Sequence, residues 1–140
     1  MLCGADLDNF IGVTLTLKQR VDNEVLTEYS CSSNLRHFLN VINKKVYKNG
    51  FTRYGKRLQI FPVLEKSLGD RLHYHLAIER PRDMDLHEFQ NMIRSEWIET
   101  RFGHREIQIE SSINQGWINY ITKFRSYTDQ VDWENVHLNR

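Results

Sequence analysis

The stretch "VLEKSLGDRLHYHLAIERP", residues 63–81, decides the architecture. From Arg71 to Glu79 its side chains alternate. Leu72, Tyr74, Leu76 and Ile78 fall on one face of a strand; His73, His75, Ala77 and Glu79 fall on the other. Pro81 closes the strand. A preceding strand covers about Arg57–Glu65 and contains Pro62, which lacks an N–H for an inner ladder and so marks an edge position or a bulge. Only "KSLGD", five residues, separates the two strands. A parallel crossover needs a dozen or more residues, so the two strands pair antiparallel.

Upstream, Ile11–Lys18 is a further strand, with Ile11, Val13, Leu15 and Leu17 on one face and Gly12, Thr14, Thr16 and Lys18 on the other. A helix follows, capped by Ser32 or Ser33, with Leu35, Phe38, Leu39, Ile42 and Val46 as its apolar stripe. It is expected to stop at "KNG", with Gly50 in the left-handed conformation. Downstream, Asp85 caps a second helix, with Glu88 placed as in a capping box and Leu86, Phe89, Ile93 and Trp97 as its stripe. "HREIQIE" reads as a strand, and "SSINQGWINYITKF" as a third helix started by Ser111 or Ser112. After Phe124 the pattern fades. Strands joined by short links and interleaved with helices predict an α+β sandwich, an antiparallel sheet with helices packed on it.

The 140 residues suit one domain, 1–140, with a core over 11–125 and a tail over 126–140. A chain of this size buries roughly 68–70% of its unfolded surface, enough for a core without staples. Cys3 and Cys31 match no zinc or disulfide spacing and read as unpaired thiols of a reducing compartment. No apolar run reaches the ~18 residues of a membrane span. The opening "MLCGADLDNF" lacks the basic region of a signal peptide. Formal net charge is only +1, yet Lys44, Lys45, Lys48, Arg53, Lys56 and Arg57 form an acid-free run interleaved with Tyr47, Phe51 and Tyr54. Such a run can contact phosphates and stack bases, or can be a solvated helix end. Thr14, Thr16 and Lys18 can line a nucleic-acid groove or simply favour a strand. Asp129, Asp132 and Glu134 offset the basic charge overall.

Two histidines two apart on a strand point the same way. They are either a solvated surface or two imidazole ligands that a carboxylate would complete. Glu65 ends the preceding strand and is the natural third ligand if it faces the same side; Glu79 is a weaker substitute. His37, His87, His104 and His137 read as surface residues. In "NYITKF", Tyr120 and Lys123 are three apart and share a helix face. Tyr-x-x-Lys is also an ordinary amphipathic pairing. Gly116, one turn earlier, costs about 1 kcal/mol relative to alanine in a helix interior, which suggests room left for a ligand. Together these features fit a cation that polarises a scissile phosphate and a phenol that attacks phosphorus.

"HYH" at 73–75 resembles the His-hydrophobe-His signature of HUH endonucleases, and "YITK" at 120–123 resembles the Tyr-x-x-Lys motif of their single-tyrosine replication-initiator (Rep) branch. "GVTLTLK" at 12–18 is similar to the first Rep motif, and the three occur in the expected order. The resemblance spans 11–125. It implies a five-stranded antiparallel sheet with flanking helices, akin to an RNA-recognition (RRM) or ferredoxin-like fold. It implies Mg²⁺ or Mn²⁺ held by Glu65, His73 and His75, with Tyr120 as nucleophile and Lys123 as its helper. The implied activity is sequence-specific nicking and rejoining of single-stranded DNA at an origin or hairpin, through a 5′-phosphotyrosine, to start rolling-circle replication of a plasmid, phage or virus.

The resemblance also implies a monomeric domain with no membrane partner, cytoplasmic, or nuclear if the source is a eukaryotic virus. Many Reps continue into a helicase domain, whereas this chain ends at Arg140. Either a host helicase acts with it or it is an excised domain. Tyr127 is read as packing or DNA contact rather than as a second nucleophile. A single-tyrosine HUH transposase is the nearest alternative, though Gln rather than Lys usually follows its tyrosine. A relaxase fits less well, and a non-catalytic RRM-like nucleic-acid-binding module would survive chelation and form no adduct.

Overall fold

A computed structural model describes residues 7–122 and 131–139 of the chain, apart from the side chains of Leu68 and of residues 120–122. Strand β1 is Phe10–Leu17, followed by a hairpin of two short strands, β2 Arg20–Val21 and β3 Glu24–Val25. Helix α1 is Glu28–Tyr47, α2 Asn49–Tyr54, β4 Ile60–Lys66, β5 Leu72–Glu79, α3 Leu86–Ile98, β6 Gly103–Glu110 and α4 Gln115–Thr122. The main sheet is antiparallel throughout, in the order β4-β5-β1-β6. With α1 and α3 as the connecting helices this is the β-α-β-β-α-β plan of ferredoxin-like and RRM-type sheets. Among the described residues, four strands are hydrogen-bonded into it rather than about five. On the outer edge of β4, Val131 and His137 add isolated bridges, to Val63 and Ile60.

The alternation read from the sequence sets the layers. Ile11, Val13, Leu15 and Leu17 of β1 and Tyr74, Leu76 and Ile78 of β5 face α1 and α3. They pack there with Leu35, Phe38, Ile42, Phe89, Ile93 and Trp97 in one buried core. The Phe38 and Trp97 rings meet edge-on at 5.2 Å. A second, smaller core lies on the other face, where Phe10, Phe61, Val63 and Ala77 meet Ile113, Trp117 and Ile118. Here α4 covers only the half of the sheet around Gly12. A Cβ on Gly12 would stand 2.7 Å from the Trp117 ring and 2.8 Å from Ile113, so glycine lets α4 lie on the strand.

Several boundaries differ from the sequence reading. Helix α1 is capped by Thr27 rather than by Ser32 or Ser33, because Thr27 and Ser30 form a reciprocal capping box; the two later serines are interior. Gly50 does not end it. Lys48 breaks the helix at φ 52°, and the left-handed glycine is Gly55, which ends α2. Strand β4 starts at Ile60 rather than Arg57, since the Leu58 N–H is taken by the buried Asn43 side chain. Asn114, not Ser111 or Ser112, caps α4, its side chain accepting from the Trp117 N–H at 2.9 Å. Gly116 therefore lies in the first turn and not mid-helix, and a Cβ there would press on Asn114 Oδ1 at 3.1 Å, so it makes no ligand space. Asp85 caps α3 as expected, accepting from the Glu88 N–H.

Pro62 lies on edge strand β4, and its carbonyl accepts the Asp132 N–H on the outer side. Its missing N–H thus faces the edge and costs no ladder bond. The tail from Val131 runs back along this edge. Tyr74, fully buried, donates from its hydroxyl to Asp132 Oδ2 at 2.7 Å. Ser32 donates to Asp132 Oδ1, and the Asn135 amide donates to Asp132 and Ser32. Asp132 is thus more than a solvent-exposed counter-charge: it ties the tail to α1 and β5.

Candidate metal centre

Antiparallel register places Glu65 directly opposite His73, and Val63 opposite His75. Odd-numbered residues of both strands point away from α1, so Glu65, His73 and His75 emerge on the half of the sheet that α4 leaves open. Glu65 Oε2 is 2.9 Å from His75 Nε2 and 3.7 Å from His73 Nε2. The two rings lie edge to face with centroids 4.9 Å apart. One donor atom from each of the three residues falls within 4.8 Å of the others. All three side chains are largely but not fully shielded, leaving an approach from solvent.

Burial lowers the His75 pKa, with the adjacent His73 adding to this and Glu65 opposing it. The balance favours a neutral imidazole, the form that offers a lone pair to a cation. Two imidazole nitrogens and a carboxylate oxygen at this spacing suit a divalent ion, whose identity the donor set does not single out. Glu79, the weaker candidate, accepts the Gln59 N–H instead and stands apart from the cluster.

The rest of this face comes from β1 and β6. Thr14 pairs with His75, and Thr16 with His73. Gln108 lies opposite Thr14 on β6. Thr14 Oγ1 is 3.2 Å from His75 Nδ1. His104 is not a plain surface residue: it is half-buried, with Nδ1 3.3 Å from Thr16 Oγ1 and 3.2 Å from the Glu106 N–H.

Of the other expected site residues, Tyr120 is in α4, one turn after Trp117, but its side chain lies outside the described residues, as do Lys123 and Tyr127 entirely. Lys18 is exposed and follows β1 directly, two residues past Thr16. Lys44, Lys45, Lys48, Arg53, Lys56 and Arg57 belong to the helical layer and its link to β4, behind the face that bears the histidines. Lys45 pairs with Glu96 at 3.3 Å, Lys56 sits over the Tyr47 ring, and Arg57 donates to Asn40 and stacks on Phe51. The fold thus brings Glu65, His73 and His75 together and keeps the basic run apart from them. Gly12 escaped the sequence reading as a site residue. A glycine amid β-branched strand residues was the available signal.

Fold and site define an α+β protein with a candidate metal centre on the open half of an antiparallel sheet. The profile of the replication-associated protein ORF2 family matches residues 11–129, and the chain belongs to that family. Membership is consistent with a role as a Rep-type replication initiator. No curated protein and no solved structure matched the chain.

Proposed function

We propose that this protein is a metal-dependent, sequence-specific single-stranded DNA endonuclease and ligase that starts rolling-circle replication through a 5′-phosphotyrosine. The observation that carries the reading is the Glu65–His73–His75 cluster, open to solvent on the sheet of a replication-associated protein. Those three residues would hold Mg²⁺ or Mn²⁺, which when bound supplies Lewis-acid polarisation of the scissile phosphate. Helix α4, seated on the same face through Trp117 and Gly12, carries position 120.

The Tyr120 phenol, with a reference pKa of about 10, loses its proton and attacks phosphorus. The bond from phosphorus to the 3′ oxygen breaks, and that oxygen takes up a proton. Lys123 offsets charge on the phosphate. The phosphodiester energy is kept in the tyrosyl ester, so a 3′ hydroxyl can later reverse the step and rejoin the ends. Lys18 would contact the strand near the centre. The Lys44–Arg57 cations would hold the phosphate backbone of flanking origin DNA. A host helicase is the natural partner for duplex opening.

Incubation with a mixed single-stranded DNA library and Mn²⁺, followed by sequencing of the captured ends, tests the chemistry and reveals the recognised sequence. A denaturant-resistant adduct is expected, absent in Tyr120→Phe while DNA binding persists. An undiminished adduct in that variant removes Tyr120 from the role, and binding without any adduct leaves a nucleic-acid-binding module.

A further inference from the structure

We infer that Thr14 is the positioning residue of the metal centre: its hydroxyl holds the His75 ring with Nε2 turned to Glu65 and follows the ring through a change of tautomer. This rests on the metal-centre reading above. Both nitrogens of His75 are engaged, Nδ1 by Thr14 Oγ1 at 3.2 Å and Nε2 by Glu65 Oε2 at 2.9 Å. A neutral imidazole carries only one N–H. Glu65 as a carboxylate can only accept, so in the metal-free protein Nε2–H donates to Glu65 and Nδ1 accepts from Thr14. When a cation takes the Nε2 lone pair, the ring proton must sit on Nδ1. Thr14 Oγ1 then accepts from Nδ1–H, and no heavy atom has to move.

A hydroxyl can play both parts; a carboxylate or carbonyl in its place could serve only the second. The support is rigid. Thr14 stands opposite His75 in the ladder of β1, an inner strand between β5 and β6, and a β-branched side chain is stiff at χ1. The pairing is specific to this residue: Thr16, opposite His73, turns its hydroxyl to the Glu106 carbonyl and towards His104. Partners of metal-ligating histidines typically govern metal affinity by 10–100-fold.

The test compares wild type, Thr14→Val and Thr14→Ser by Mn²⁺ titration, read from the paramagnetic resonance of free Mn²⁺. Thr14→Val keeps the bulk and strand preference and is expected to bind about 10–100-fold more weakly; Thr14→Ser restores most of the loss. Separately, long-range proton–nitrogen spectra of the wild-type histidines, taken before and after adding Zn²⁺ as a diamagnetic probe, should show the His75 proton move from Nε2 to Nδ1. Equal Mn²⁺ affinity in Thr14→Val overturns the assignment while leaving the metal centre standing. A His75 proton already on Nδ1 without metal overturns the tautomer change. Failure of wild type to bind Mn²⁺ overturns the metal centre itself, and with it this role.

Discussion

The two faces of the sheet are built from alternate residues of the same strands, yet they serve different ends. On one face, Leu72, Tyr74, Leu76 and Ile78 disappear under α1 and α3. On the other, Ala77 lies under α4, while His73 and His75 stay within reach of solvent. Burying one face completely supplies stability. Covering the other only halfway leaves polar groups free to meet a ligand on a support that cannot move.

The sharpest way to break this comparison is to cut neighbouring residues of β5. His75→Ala is expected to lower cleavage on the order of a hundredfold or more, since a bound cation is worth several kcal/mol in the transition state. Its melting temperature should stay close to wild type. Leu76→Ala, one residue on, should lose about 2–5 kcal/mol of stability through the cavity it leaves, while the folded fraction still cleaves. Calorimetry beside an adduct assay separates the two; a parallel fall of both quantities in both variants would erase the distinction between the faces.

Gly12→Ala probes the boundary between the covered and open halves. The added methyl would meet Trp117 and Ile113 at less than 3.0 Å, so α4 must shift. Overpacking of this kind costs about 1–3 kcal/mol. A drop in adduct formation larger than the drop in single-stranded DNA binding is expected, because the helix that carries Tyr120 is displaced. Unchanged adduct yield would show that cleavage does not depend on the seat of α4.

The smallest effect concerns protons on the closed face. Burial pushes the Cys31 thiol up to about 12, with Asp132 and Glu28 adding, and burial followed by Asp132 raises the Tyr74 phenol. The folded state holds both protons more tightly than the unfolded chain does. Their contribution to stability is therefore complete below the unfolded values, 9.0 for the thiol and 10.0 for the phenol, and is lost as pH rises further. For Cys31 the window runs from 9.0 to about 12. Urea midpoints should decline from about pH 9 upward, and Cys31→Ala and Tyr74→Phe should each flatten the decline. A profile equally steep in both variants would place the titrating groups elsewhere.

Much of this was legible in the chain. Period-two alternation in 11–18 and 71–79, the five-residue link and the Asp85 cap led to the antiparallel α+β plan, because these signals are local and steric. The same alternation put His73 and His75 on one face. The helix starts at Thr27 and Asn114 were missed, since several serines and asparagines compete as caps and only backbone geometry selects among them.

Sequence by itself determined which residues share a face, and so which could form a site. Tertiary structure decided register, coverage and partners: that Glu65 falls opposite His73, that α4 rests on Gly12 and stops short of the histidines, that Asp132 returns to Tyr74, and that the basic run lies behind the sheet. Those are contacts between segments far apart in the chain. Side-chain periodicity fixes the direction a residue faces, but only packing of the whole fold fixes what it meets there.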